Sequence, residues 1–218
     1  MRYLFCPQCG KKLEERKLGD DGMVPFCGDC GRPWFDSFYS CVIVLTYNEK
    51  DEIVLCRERF RPRETMGITA GYMKPGESAE EAALREVREE LGIRLESLEY
   101  AGTYWFPYNE LLMHGFIGYA PSQELKVSEE LESAAWFPAL EAPKYMHPER
   151  PQTAMHPIYR RFLKKRGLNA PGKGSDGFPN MLNDGLPALF FFAPAVFMRK
   201  RRSGGFGASV SLTGKSGV

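Results

Sequence analysis

The chain has 218 residues, 43% of them hydrophobic, and a formal net charge of +1. That length can bury one good core plus a small module, and so small a charge gives no electrostatic ground for a nucleic-acid or membrane-surface protein. Met1 opens directly on polar, cysteine-bearing sequence with no signal peptide and no apolar run of ~20 residues, so no membrane association and a cytoplasmic location are expected.

Four of the six cysteines form two short pairs, Cys6-Pro-Gln-Cys9-Gly10 and Cys27-Gly-Asp-Cys30-Gly31. This is the spacing of a four-cysteine zinc site, each pair wrapping a tight turn around the ion. The glycine after each second cysteine tolerates the positive φ such a turn needs. Two disulfides would use the same residues, but a reducing cytoplasm favours the metal. Four thiolates leave no open coordination position, so zinc on Cys6, Cys9, Cys27 and Cys30 would be structural. Residues 1–36 therefore read as a zinc ribbon, a module too small to hold together without its ion.

Residues 37–166 read as the main domain. The apolar, β-branched runs 41–46 and 52–56, separated by the polar stretch 47–51, predict a hairpin, with Cys41 and Cys56 in its core. Arg57, Arg59, Arg61 and Arg63 follow in alternation. On an extended segment they would share one face, which could meet a diphosphate or a nucleic-acid backbone or simply be a solvated edge. A strand is predicted at 68–70.

Next comes Gly71-Tyr-Met-Lys-Pro-Gly-Glu77-Ser78, a glycine loop leading into a helix. Ser78 and Glu81 form a capping-box pair, so the helix should start near Ala79, and Gly92 supplies its stop. Ala83, Val87 and Leu91, with Leu84 beside them, give an apolar stripe that can dock on a sheet. Glu86, Glu89 and Glu90 stand three and four apart and project toward one patch. Three neighbouring carboxylates repel one another unless a cation joins them, and an all-oxygen set suits Mg²⁺ or Mn²⁺, the ions that accompany phosphates. Arg85 can pair with Glu89 or Glu77 and steady the cluster.

Further strands are predicted at 98–104, 112–119 and 134–137, and Ile158, Tyr159, Phe162 and Leu163 predict a second helix with basic outer residues. Tyr104, Trp105, Phe106 and Tyr108 could stack on a purine or nicotinamide ring, or could be core. His114, His147 and His156 have no ligand spacing. Beyond Arg166 periodicity ends and glycine becomes dense, so 167–218 is expected to be a disordered tail. Its apolar run 186–198 precedes Arg199-Lys-Arg-Arg202, but thirteen residues broken by Pro187 and Pro194 are too short to span a ~30 Å bilayer core.

The spacing Gly71-x5-Glu77-x7-Arg85-Glu86-Val87-x-Glu89-Glu90-x-Gly92-Ile93 resembles the Nudix box, with every defined position filled. A zinc ribbon directly before such a domain resembles the NADH pyrophosphatase group of Nudix hydrolases, over roughly residues 4–165. The resemblance implies an α/β/α sandwich with a mixed sheet, and hydrolysis of NADH or NAD⁺ to nicotinamide mononucleotide and AMP or removal of an NAD cap from RNA. It also implies a homodimer. Glu86, Glu89 and Glu90 would hold Mg²⁺ or Mn²⁺ close to Gly71, Arg85 would orient a glutamate, and the general base would be Glu86, Glu89 or a later carboxylate such as Glu130. In two places the chain departs from that group. The group's Ser-Gln-Pro-Trp-Pro-Phe-Pro-x-Ser segment is replaced by Thr103-Tyr-Trp-Phe-Pro-Tyr-Asn-Glu-Leu111, and Ser133 stands where the relatives place a downstream glutamate ligand, leaving Glu130 or Glu132 to serve. Rival readings are another nucleoside diphosphate derivative, such as ADP-ribose, as substrate, or a non-enzymatic sensor or nucleic-acid binder. Sensors of this kind usually have a damaged box, and this one is whole.

Overall fold

The computed structural model describes residues 2–60 and 64–168. Of the expected tail 167–218, residues 169–218, with the apolar and basic runs, lie outside the described residues, as do Arg61 and Arg63; the first two positions instead finish the last helix, Gly167 in the left-handed region and the Leu168 amide donating to the Leu163 carbonyl at 2.9 Å. Near the N-terminus, β1 (Glu14–Lys17), β2 (Met23–Cys27) and β3 (Arg32–Pro33) form a small antiparallel sheet of their own. Its core is thin: β1 is exposed throughout, and the buried side chains are few, Val24, Phe26 and Cys27 on β2 among them.

The main sheet contains β4 (Tyr39–Tyr47), β5 (Glu52–Glu58), β6 (Thr69–Tyr72), β7 (Ser97–Phe106), β8 (Leu111–Tyr119) and β9 (Leu131–Pro138). The order is β7-β8-β4-β5-β9, with β4 and β8 parallel and the other neighbours antiparallel. β4 changes partner along its length. Its first half pairs with β6, from Cys41 opposite Tyr72 to Val44 opposite Thr69, and its end meets β5 where Tyr47 faces Ile53. The hairpin between β4 and β5 is closed by Asn48, whose Oδ1 accepts from the Lys50 and Glu52 amides, so the polar run 47–51 is a turn with a local cause.

Side chains alternate between the two sheet faces. Val42, Val44, Val54 and Phe116 join one buried cluster, under α1 (Ala79–Leu91), while Ile43, Leu45, Ile53 and Ile117 join another, under α2 (Met155–Arg166). This is the expected α/β/α sandwich with a mixed sheet. Ile158, Tyr159, Phe162 and Leu163 of α2 are buried as anticipated, and three basic residues in its last turn suit the negative end of the helix dipole. Cys41 and Cys56 are buried core residues, and burial pushes both thiols up to about 12.

α1 begins and ends where its caps require. Ser78 Oγ accepts from the Glu81 amide at 3.2 Å, Glu81 Oε2 accepts from the Ser78 amide at 2.8 Å, and Gly92 closes the helix in the left-handed region at φ 70°. One residue of the predicted stripe is corrected: Leu84 is 44% exposed, and Ala82 is buried in its place. The sheet covers the flank of the stripe on which Ala82, Glu86 and Glu90 lie, which draws two of the three carboxylates inward. Strands β7 and β9 run past the predicted limits because their neighbours keep pairing with them, Phe106 opposite Leu111 and Leu131 opposite Glu58. Among the described residues no helix is long and apolar enough to cross a membrane.

Candidate active site

Gly71 stands inside β6, opposite Val42, and not in the loop that follows. A Cβ at this position would fall within 2.5 Å of Glu86 Oε2, so the strand can lie against the α1 carboxylate only where there is no side chain. The loop 73–78 then turns the chain back into α1, and Glu77 in it is fixed from two sides. Its Oε2 accepts from the Lys74 amide at 2.8 Å, and its carboxylate takes a two-pronged contact from Arg85, Nε to Oε1 at 2.5 Å and Nη2 to Oε2 at 2.8 Å.

Arg85 is the hub of this half of the site. Besides Glu77, its Nη1 donates to Glu86 Oε1 at 2.5 Å and to Glu89 Oε2 at 3.1 Å, and its Nη2 donates to the Tyr72 carbonyl at 3.0 Å. The planar fork makes these contacts at once, which an ammonium group could not. Only 11% of the side chain is exposed. Contact with Glu77 raises the Arg85 pKa still further, and in return the guanidinium, helped by the Lys74 amide, holds the Glu77 carboxyl down to about 2. The sequence pairing of Arg85 with Glu77 or Glu89 is thus realised with both, and with Glu86 as well.

The inner half of the site is the opposite case. Glu90 is 9% exposed, and its carboxyl is pushed up to about 8, first by burial and then by Glu86, Glu130, Glu58 and Glu89. Glu86 is raised also, again chiefly by burial, against the pull of Arg85. Glu130, and not Glu132, is among the carboxylates acting most strongly on Glu90. Glu58 was not singled out from the sequence. It ends β5 two residues beyond Cys56 and four beyond Val54, both in the α1-side cluster, so strand alternation would have placed it on the side of Glu90. The groups whose charge acts on Glu90 are all carboxylates, a donor type that fits a hard divalent cation and not a thiolate- or imidazole-seeking one.

The four cysteines also come together. The Sγ atoms of Cys6, Cys9, Cys27 and Cys30 lie within 4.8 Å of one another, the only group among the described residues to gather ligand atoms so closely. Cys9 and Cys27 are 3.5 Å apart and Cys6 and Cys30 3.9 Å, too far for disulfides. A tetrahedron with Zn–S bonds of ~2.3 Å has edges of about 3.8 Å, which these two separations approach. Contact with Cys9 and burial push the Cys30 thiol up to about 12, a crowding that a bound dication would reverse. Gly10 and Gly31 have φ of 74° and 65°, the conformation the turns needed.

The aromatic segment divides by strand face. Tyr104 packs against the α2-side cluster, its hydroxyl donating to the Ala101 carbonyl at 3.0 Å, and Gly115 leaves room for its ring. Trp105, on the other face, is 43% exposed and meets Phe38 edge-on at 5.8 Å. Phe106 and Tyr108 pair with each other at 5.2 Å, Tyr108 being 59% exposed. Tyr104 is thus partly buried against the α2 side of the sheet, whereas Trp105 and Tyr108 are exposed. The histidines are tied into the fold: His114 with Ser40 at 3.1 Å, His147 with Thr65 at 2.6 Å, and His156 with the His147 carbonyl at 2.8 Å. Arg57 and Arg59 do not present a shared phosphate-binding face, since both direct their guanidinium groups at main-chain carbonyls.

A mixed sheet between two helices, with a glycine of one strand facing an acidic helix locked by a single arginine, defines the Nudix class of fold. The Nudix domain family matches residues 38–162. The chain belongs to the Nudix family. It is 32% identical over 171 residues to the NAD-capped RNA hydrolase NudC of Pseudomonas aeruginosa, covering 77% of this chain and 58% of that protein. With NudC of Stutzerimonas stutzeri it shares 36% identity over 138 residues, covering 62% and 48%. The chain thus spans about half the length of the curated relatives it matches. A Nudix hydrolase structure from Nitrosomonas europaea superposes with a TM-score of 0.59 at 21% identity, covering 77% of this chain and 93% of that one, a likeness of fold.

Proposed function

We propose that this protein hydrolyses the diphosphate linkage of a dinucleotide, cleaving NADH or NAD⁺ to nicotinamide mononucleotide and AMP and acting on NAD-capped RNA by the same chemistry. The observation that carries the reaction class is the buried Glu90 carboxyl with Glu86, Glu89, Glu58 and Glu130 acting on it, an oxygen-donor set suited to the cation a diphosphate brings. The choice of substrate is supported by the relatives named for NAD-capped RNA hydrolysis and by the cysteine quartet ahead of the sandwich.

In this reading Glu86, Glu89 and Glu90 hold Mg²⁺ or Mn²⁺, with Glu130 from the turn before β9. When bound, the ions neutralise charge on the phosphate oxygens and make a water acidic enough to attack phosphorus. Glu89 is the general base: its side chain is 49% exposed, so water can reach it, whereas Glu86 and Glu90 are largely covered. Arg85 touches no substrate and holds Glu77, Glu86 and Glu89 in register. Gly71 keeps the strand against Glu86. Trp105 and Tyr108 offer exposed ring faces for a base. Structural zinc on Cys6, Cys9, Cys27 and Cys30 orders a ribbon at 1–36 before a hydrolase domain at 37–166. A homodimer, which the family resemblance implies, and a cytoplasmic location, which suits a reduced four-thiolate site, complete the proposal.

The altered segment 103–111 favours one competing substrate class, ADP-ribose or another nucleoside diphosphate derivative. A panel of NADH, NAD⁺, ADP-ribose and NAD-capped RNA, incubated with Mg²⁺ or Mn²⁺ and resolved by chromatography, tests both. Release of nicotinamide mononucleotide supports the first reading. Inertness toward NADH and NAD⁺ with turnover of ADP-ribose replaces it with the second.

A further inference from the structure

Arg59, just past the end of β5, contacts main-chain carbonyls and not an anion site. The Arg59 amide donates to the Glu130 carbonyl at 2.9 Å, its Nε donates to the Glu129 carbonyl at 2.9 Å, and its Nη2 donates to the Leu131 carbonyl at 3.1 Å. One residue thus holds three consecutive carbonyls of the turn that carries Glu130. The other side of the turn is fastened to the end of α1. The Ser128 amide donates to the Glu90 carbonyl at 3.0 Å and the Lys126 amide to the Leu91 carbonyl at 2.8 Å. Within it, Ser128 Oγ accepts from the Glu130 amide at 3.3 Å.

We infer that Arg59 is a positioning residue for the cation site, clamping the 128–131 turn so that the Glu130 carboxylate is presented beside Glu90. This rests on the reading of Glu130 as a metal ligand given above. The side chain is suited to the task for two reasons. Its fork spans two carbonyls separated by one residue, which a lysine could not do. Its charge is spent on main-chain oxygens, so it orders the turn without drawing the Glu130 carboxylate into an ion pair of its own. An exposed carboxylate on an untethered turn would have to be ordered when the cation binds, and that entropy would come out of the affinity. The clamp supplies the order beforehand.

The test compares R59Q, R59K, E130Q and the double variant R59Q/E130Q in the full chain, with folding checked by thermal melting. Two readouts are used: Mn²⁺ affinity by electron paramagnetic resonance without substrate, and the Mg²⁺ concentration for half-maximal turnover. The expected result is a loss of Mn²⁺ affinity of about 10-fold in R59Q, a smaller loss in R59K, and a double variant no weaker than E130Q alone. Unchanged affinity in R59Q, or a loss that adds in full to that of E130Q, overturns the role of Arg59 while leaving Glu130 a ligand. Unchanged affinity in E130Q overturns the ligand reading itself, and the clamp with it.

Discussion

Replacing Glu90 by Gln should make the metal-free protein more stable while removing its response to divalent ions. The side chain keeps its shape and loses its charge. In the folded chain the carboxyl titrates at about 8, against an ordinary value of 4.5, because it is buried among other carboxylates. The folded state therefore binds this proton more tightly than the unfolded one, and stability falls as pH rises from about 4.5 through about 8. At about 1.36 kcal/mol per pKa unit the full penalty above pH 8 has an upper bound of about 4 to 5 kcal/mol. Glu58 and Glu130 are exposed and open to water, and the amide of a buried Gln needs partners of its own, so a net gain of about 1 to 3 kcal/mol is expected. For a chain of this size that is roughly 2 to 12 °C in melting temperature. The assay is thermal melting in a chelator from pH 5 to pH 8.5, repeated with saturating Mg²⁺. The parent should lose stability across that range without metal and regain it with Mg²⁺, while Glu90→Gln should show only the smaller loss that the buried Glu86 carboxyl leaves, with little recovery in Mg²⁺, and should hydrolyse substrate about 10²-fold more slowly or worse. A variant no more stable than the parent at pH 8 in chelator, with parallel pH profiles, would refute the claim that Glu90 is a carboxyl waiting for a cation.

Four further outcomes are expected. Arg85→Lys keeps the charge but loses the fork, so denaturant unfolding should show a loss of about 2 kcal/mol and turnover should fall as Glu86 and Glu89 lose their common partner. Gly71→Ala should leave the circular-dichroism spectrum intact but drive the Glu86 carboxylate from its place, raising the Mg²⁺ requirement in turnover assays by about 10-fold or more. The Glu77 carboxyl, held down to about 2 by Arg85, contributes stability that is complete above about pH 4.5 and disappears as pH falls toward 2. Acid unfolding of Glu77→Gln should therefore be flatter than that of the parent in that window. Elemental analysis should find one zinc per chain in the parent and none in Cys27→Ser, and proteolysis of that variant should begin within 1–36 while 37–166 resists.

Features set by neighbours in sequence were legible in the sequence. The Ser78 and Glu81 box, the Gly92 stop and the cysteine pairs each depend on a few adjacent residues, and each appears where expected. What depended on distant partners was not. Periodicity defined the α1 stripe but not which flank the sheet would cover, so Leu84 was placed inside and the inward turn of Glu86 and Glu90 went unseen. Alternation pairs Glu58 with the acidic cluster, but in the sequence it stands between Arg57 and Arg59, whose charge points toward phosphates. Arg59 finds its acceptors some seventy residues away, in a turn whose nearness to β5 follows only from the β5–β9 pairing. In the aromatic segment, spacing could not separate Tyr104 from Trp105. Which of the two faces is covered depends on α2, and it is Ile158 of that helix that lies over Gly115 beside the Tyr104 ring.

Under the proposed function, the distribution of charge lets one helix carry several carboxylates without their ions and still offer a site for them. Arg85 fixes Glu77 fully and touches the half-buried Glu86 and the exposed Glu89 through a single nitrogen, so that part of their repulsion is offset before any cation arrives. Glu90 receives no such help, and the carboxylates of Glu86, Glu130, Glu58 and Glu89 all raise its pKa. A cluster neutralised throughout by protein cations would have little attraction left for Mg²⁺, and one left wholly bare would resist closing against the sheet. Splitting the two roles lets the fold form around Glu77 and Arg85 while the charge deficit is concentrated at Glu90. That deficit is relieved by a proton at low pH and by a divalent ion at neutral pH, so protons and metal should compete for this one site. Raising Mg²⁺ should therefore shrink the stability loss between pH 5 and 8 toward the shallower profile of Glu90→Gln, and a Mg²⁺ affinity that did not weaken as pH fell through 8 would exclude the competition.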